Sequence, residues 1–285
     1  MYQIYFKLLF GFFVFLLFGC ASNEIKWNSV SGPTNNPDQV FGSYSAGCLD
    51  GAVSLTASSK NYQAMRLSRQ RYYGHPRLIQ FLNDYSKEVY ESGLGSLAIG
   101  DLSQARGGPM PQGHASHQTG LDADIWFKRF TDDERKSLSL NDLESFSAIF
   151  VVNEDTLTIN DETWKEESSL ALKAAALHVD VERVFVNFVI KKKLCEIHKG
   201  ESWLNKIRPW WGHNYHYHVR LSCPKGSATC KPQQPVIQND GCDETLDWWF
   251  TEEAQTELDK KKDIKERIIK LPLQCAAVFN NRSIF

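Results

Sequence analysis

The first strong pattern along the chain is an apolar run at residues 8–18, broken only by Gly11 and preceded by Lys7. It is shorter than the about 20 apolar residues that cross a bilayer, and it suits the core of an export signal. Residues 1–20 therefore read as a signal peptide. Residues 21–45 turn polar and rich in Ser, Asn and Pro, the composition of a tether. From residue 46 to 285 no internal repeat interrupts the pattern, which reads as a single domain.

Within that domain two periods alternate. Leu78, Leu82, Tyr85 and Val89 recur at helical spacing after Pro76, and Gly93 suits the helix end. Leu97, Ala98 and Ile99 predict a short strand, and a Gly- and Pro-rich loop follows at residues 106–113. Residues 121–127 alternate, with Leu121, Ala123 and Ile125 on one strand face and Asp122, Asp124 and Trp126 on the other. Helices are predicted at 170–177 and 190–197, with a strand at 184–186 between them. A strand at 217–221 follows, and the period of two places His216 and His218 on one face. A helical stretch comes after Cys242. The run Asp259-Lys260-Lys261-Lys262-Asp263 reads as a solvated helix face. Helices and strands in this order predict an α+β domain with its chemistry on strands and adjoining loops.

Charge narrows the partners. Lys and Arg number 32 against 34 Asp and Glu in 285 residues, without a basic block, so the footprint needed for nucleic acid is missing. Cysteine points to an oxidising compartment. The signal ends Leu17-Phe18-Gly19-Cys20-Ala21-Ser22, which resembles a bacterial lipobox with Cys20 acylated; a plain cleaved signal and a retained anchor are the other readings. The remaining Cys48, Cys195, Cys223, Cys230, Cys242 and Cys275 are even in number and read as three disulfides. Their connectivity is open, though Cys223 and Cys230 flank a short segment and are easiest to join. No CxxC spacing supports a zinc knuckle.

Five of the eight histidines fall in two clusters. The first is Gly113-His114-Ala115-Ser116-His117-Gln118-Thr119-Gly120-Leu121-Asp122-Ala123-Asp124, and the second His213-Asn214-Tyr215-His216-Tyr217-His218. Two imidazoles and a carboxylate hold a catalytic zinc while leaving one position for water. His117 and Asp124 supply two nearby ligands, and His218 a distant third. His216, two residues away on the same strand face, reads as general base or oxyanion stabiliser. His114 reads as a further ligand, a substrate contact or a loop residue, and Asp122 as support behind the ligands. Trp126, Trp210, Trp211, Tyr215 and Tyr217 either line a groove or fill the core. His75, His178 and His198 stand alone and read as structural.

These residues resemble the penicillin-insensitive murein endopeptidases, within the zinc peptidases that include lysostaphin-type enzymes, D-Ala-D-Ala metallopeptidases and hedgehog domains. The group pattern of His, six residues, Asp and a later His-x-His is met by His117, Asp124 and His216-Tyr217-His218. Arg208-Pro209-Trp210, His218-Val219-Arg220-Leu221, Arg71-Tyr72-Tyr73-Gly74-His75-Pro76 and Arg183-Val184-Phe185-Val186-Asn187 narrow the likeness, which runs from about Gly42 to Cys275. The resemblance implies a small antiparallel sheet carrying the ligands. It implies hydrolysis of the D-alanyl–meso-diaminopimelyl cross-bridge of peptidoglycan, so the partners are its peptide cross-links. It also implies zinc held by His117, Asp124 and His218 with His114 as an extra ligand, His216 as base, and His213 as the group that polarises the carbonyl or protonates the amine. The implied disulfides are Cys48–Cys275, Cys195–Cys242 and Cys223–Cys230. The family's second metal uses an Asp and a His between the clusters, and Val152-Asn153-Glu154-Asp155-Thr156-Leu157 has no histidine, so one functional zinc is expected. The compartment implied is the periplasm, with an outer-membrane lipoprotein tethered through Cys20 as one form. The rivals are a D-Ala-D-Ala carboxypeptidase, disfavoured because no carboxylate falls in residues 210–215, and a non-catalytic zinc-containing wall-binding module. Nothing in the sequence sets an oligomeric state.

Overall fold

The structure, a computed structural model, describes residues 26–262 and 269–282. Its centre is a six-stranded sheet in the spatial order Ile207–Trp210, Val181–Asn187, His216–Leu221, Asp122–Phe130, Ser96–Ile99 and Tyr62–Ala64. The three inner pairings are antiparallel and the two outermost are parallel. The expected antiparallel sheet is thus the middle of a mixed one, and it carries Asp122, Asp124, His216 and His218 on its two central strands.

The two faces of this sheet differ because side chains alternate. Ala123, Ile125, Tyr217, Val219, Val184 and Val186 are buried on one face, beneath the helices Pro76–Glu91 and Glu166–Leu177. The first of these helices begins where His75 accepts the backbone N–H of Arg77 and Pro76 occupies a position that needs no N–H. It buries Leu78, Phe81, Leu82, Tyr85 and Val89, each worth about 1.5–3 kcal/mol when fully removed from water. Tyr85 also satisfies its phenol inside the core, meeting the Tyr217 hydroxyl at 2.7 Å and donating to the Ala171 carbonyl at 2.9 Å. The helices Glu166–Leu177 and Phe188–His198 begin earlier than apolar spacing predicts. Acidic Glu166 and Glu167 favour the first helix end, and the Asn187 side chain caps the second by accepting from Val189.

Three disulfides join Cys48 to Cys275, Cys195 to Cys242 and Cys223 to Cys230, with Cα separations of 5.7, 5.6 and 5.8 Å. The first ties the helix Gln274–Phe279 to the strand Ala46–Asp50.

The tether expected over residues 21–45 differs from what residues 26–45 do. Gln39–Ser43 pairs antiparallel with Ala46–Asp50, and Trp27 is buried edge-on against Phe279 at 5.3 Å. Thr34 and Asn36 donate to the buried Asp50 carboxylate. Polar composition concealed this docking because those short side chains satisfy a buried acid instead of facing water. Residues 1–20, with the signal and Cys20, lie outside the described residues. No helix among the described residues is long and apolar enough to cross a membrane. The charged run lies in the helix Glu252–Lys262, and Asp263 is outside the described residues.

Candidate active site

The sheet face opposite the helices carries Asp122, Asp124, His216 and His218, with Trp126 at one end. Register places His218 directly across from Asp124 and His216 across from Trp126. His114 and His117 reach this face from the loop before the Asp122–Phe130 strand. His117 takes a left-handed backbone, φ 68°, as does His213, φ 55°. Such strain in a residue with a side chain costs about 1–3 kcal/mol and persists where the surroundings over-determine it. At His117 the Asp122 carboxylate accepts its backbone N–H at 3.0 Å.

Three of the imidazoles are oriented by an acceptor on the outer side, whereas the outer Nδ1 of His216 is buried without a partner. His117 Nδ1 donates to the Leu102 carbonyl at 2.7 Å, His114 Nε2 to Asp101 at 2.8 Å, and His218 Nε2 to Asp122 at 2.8 Å. Because those protons are committed outward, the inner nitrogens carry lone pairs. The lone pairs converge on the Asp124 carboxylate: His218 Nδ1 lies 3.2 Å away, His117 Nε2 3.3 Å and His114 Nδ1 3.6 Å. His216 Nε2 is 3.6 Å from the same carboxylate. His114, His117 and Asp124 offer donor atoms that all lie within 4.8 Å of one another.

Lone pairs facing an anionic carboxylate repel unless a cation sits among them. His117 Nε2 and Asp124 Oδ1 are fully buried and have no hydrogen-bond partner, which costs several kcal/mol for a polar group left alone. Tetrahedral zinc with bonds of about 2.0–2.1 Å separates its ligand atoms by about 3.3 Å, close to the spacings here. The residues present therefore fit a metal ion.

The surrounding charges agree. Burial opposes ionisation of Asp124, but in acid the protonated forms of the facing imidazoles, His216 first and then His117, overcome it and hold the carboxyl well below its usual range. Burial likewise opposes ionisation of Asp122, and Arg220 and His218 overcome it. Asp101 is held down to about 2 against burial, chiefly by His114 and then by Arg71 and Arg69. Burial pushes His216 down to about 4 and His213 to about 3, so both are neutral bases at pH 7. His213 is held through Nδ1, which donates to the Trp211 carbonyl at 2.8 Å. The His213 and His216 rings lie 4.9 Å apart.

A cavity of about 340 Å³ opens over this cluster, between Arg66, Arg69 and Arg71 on one side and the 211–214 turn on the other. The aromatics divide. Tyr217 is core, Trp126 is buried beneath the Arg66 guanidinium at 4.8 Å, and Tyr215 lines the cavity. Trp211 packs on Trp249 at 4.7 Å, while Trp210 is half exposed. His75, His178 and His198 stand outside the cluster. His75 meets Asp38 at 3.0 Å, the His178 ring meets Phe81 edge-on, and His198 links Ser169 to Glu201.

Four contributors were assigned no role from the sequence: Asp101, the Leu102 carbonyl, Arg71 and Arg220. Asp101 and Leu102 follow the Ser96–Ile99 strand and meet His114 and His117 only through the fold. Arg220 donates to Asp122 at 2.6 Å and Arg71 to Asp101 at 2.8 Å; both stood within the motifs that narrow the likeness.

A buried carboxylate ringed by outward-tethered imidazoles on antiparallel strands, at the floor of an open cavity, defines a metallopeptidase. The profile of the family described as penicillin-insensitive murein endopeptidase matches residues 40–280. The chain is 40% identical over 236 residues to the penicillin-insensitive murein endopeptidase of Pectobacterium atrosepticum, covering 82% of this chain and 83% of that one. The protein of the same name from Haemophilus influenzae is 38% identical over 234 residues, covering 81% and 80%. One from Escherichia coli is 37% identical over 263 residues, covering 90% and 92%. The chain belongs to the penicillin-insensitive murein endopeptidase family and is a peptidoglycan hydrolase of the endopeptidase type.

Proposed function

We propose that the protein is a zinc-dependent endopeptidase that hydrolyses the D-alanyl–meso-diaminopimelyl cross-bridge of peptidoglycan. The observation that carries this reading is the convergence of three imidazole lone pairs on the buried Asp124 carboxylate. His117, Asp124 and His218 hold a single zinc ion, with His114 as an additional donor. Asp122, Asp101 and the Leu102 carbonyl fix the ring orientations. Zinc, when bound, supplies a Lewis acid that lowers the pKa of water to about 7.

The remaining chemistry belongs to side chains. His216 is neutral, faces the cluster through Nε2, and takes the proton of the attacking water. His216 hands that proton on through Nε2 of His213, whose ring lies 4.9 Å away and whose Nδ1 is held by the Trp211 carbonyl, and it reaches the departing amine as the C–N bond breaks. Asp124 stays ionised throughout.

A single functional zinc is part of this reading because the segment Val152-Asn153-Glu154-Asp155-Thr156-Leu157 offers no histidine. Residues 1–20 serve as an export signal to the periplasm, and acylation of Cys20 would tether the protein to the outer membrane.

The test is incubation of purified protein with cross-linked dimeric muropeptides, with and without chelator, followed by mass analysis. Chelator-sensitive conversion of dimers to monomers is expected. Release of free D-Ala alone would indicate a carboxypeptidase, and no turnover a wall-binding module.

A further inference from the structure

The row of side chains that carries the metal cluster does not stop at His218. Register runs on from Asp124 to His218, then to Phe185, then to Arg208, so all four project from the same sheet face. The Phe185 ring forms a ridge between the two ends, 5.3 Å from His218 and 5.7 Å from Trp210. Beyond the ridge lies a second cavity of about 300 Å³, whose lining includes Arg208, Trp210, Trp249, Gln233 and Ile237.

Arg208 is the unusual member. Its side chain is partly buried, yet it makes no hydrogen bond or ion pair among the described residues. The neighbouring guanidiniums are all committed. Arg220 holds Asp122 and Gln233, and Arg183 holds Glu182, Gln233 and the Gln234 carbonyl. The nearby Lys191 amino group donates to the Leu204 and Asp240 carbonyls. Asp243 is occupied by Asn239 and by Thr245, where it caps a helix. The half-buried Arg208 guanidinium feels the Asp243 charge but makes no direct pair with it, which leaves its fork open to an anion, and a carboxylate is the partner whose geometry it matches in a bidentate pair.

We propose that Arg208, walled by Trp210 and Trp249, is a substrate subsite that binds a free carboxylate of the murein stem peptide. This rests on the murein reading above and adds to it a specificity-determining residue. Arg208 lies two strand spacings from His218, about 10 Å. An extended peptide rises about 3.3 Å per residue, so the carboxylate recognised stands about three residues from the scissile bond. Stem peptides joined through diaminopimelate carry free carboxylates at such distances. The aromatic ridge accepts the intervening backbone and methyl groups.

The test compares wild type, Arg208→Gln and Arg208→Lys, each zinc-loaded, on a cross-linked dimeric muropeptide and on the same dimer with its free carboxylates amidated. Binding of an uncross-linked tetrapeptide stem and its amide is measured in parallel by calorimetry. Arg208→Gln is expected to raise KM for the acidic dimer about tenfold with kcat little changed, and to weaken the acidic stem by a similar factor. Arg208→Lys should recover part of the loss, and the amidated probes should not respond to either change. Equal effects on acidic and amidated probes, or none on either, would overturn the subsite. A melting curve identifies a variant that fails to fold; wild-type preference for acidic over amidated stem then decides. Wild-type failure to cleave any dimer would sink the murein reading instead, while stem binding still reports on Arg208.

Discussion

Asp122 Oδ1 and His218 Nε2 meet at 2.8 Å although 96 residues separate them in the chain. The same carboxylate accepts Arg220 Nε at 2.6 Å and, through its other oxygen, the backbone N–H of the strained His117. One buried side chain thus orients one proposed ligand and braces the backbone of another. Asp122→Ala would strand a guanidinium, an imidazole N–H and a backbone N–H together. It is expected to destabilise the protein by about 3–5 kcal/mol in denaturant unfolding. Metal affinity should fall by about 10–100-fold in a chelator competition. An unchanged affinity would mean that Asp122 does not orient a ligand.

His216 and His117 should separate cleanly by substitution. His216→Ala is expected to retain zinc and lose about 10²–10⁴-fold in kcat, since it removes only the proposed proton acceptor. His117→Ala should lose the metal, as read by elemental analysis of the dialysed protein. A fully active His216→Ala would move the base elsewhere.

The disulfide from Cys48 to Cys275 holds the C-terminal helix and, through Phe279, the buried Trp27. Replacing both cysteines by serine should cost about 2–5 kcal/mol of stability, seen as a lower melting temperature with the metal site still loaded. Loss of metal in that variant would show the tie reaching the site.

Lys191 makes stability depend on pH. Burial first, and then the nearby Arg208, lower its amino group from 10.5 to about 7 in the folded state. Between those values the unfolded chain binds a proton that the folded chain does not, so stability rises with pH through that window, with a limiting slope of about 1.4 kcal/mol per pH unit. Lys191→Met should flatten the rise between pH 7 and 9 in denaturant unfolding. An unaltered slope would assign it to other groups.

Much of the centre was legible because its signals are local. The alternation over residues 121–127 and the two-residue period from His216 to His218 placed Asp124 and the later histidines on two strands, which the sheet register then sets side by side, and the six-residue interval ties the loop residue His117 to Asp124. The helix from Pro76 was equally plain in the spacing of Leu78, Leu82, Tyr85 and Val89. What was hidden depends on partners remote in sequence. Asp101 and the Leu102 carbonyl become meaningful only when a turn presents them to His114 and His117. The edge strand Ile207–Trp210 contains Pro209 and has too short an apolar pattern to announce itself. The helices Asp132–Ser137 and Leu140–Ser145 are short and polar, marked by capping boxes at Thr131 and Ser139 instead of by an apolar stripe.

The most direct measurement is a zinc titration of the chelator-treated protein, following cleavage of cross-linked muropeptide dimers. Turnover is expected to vanish on metal removal and to return in proportion up to one zinc ion per chain, with no recovery in His117→Ala. Undiminished dimer cleavage in the metal-free protein would contradict a metal centre at His117, Asp124 and His218.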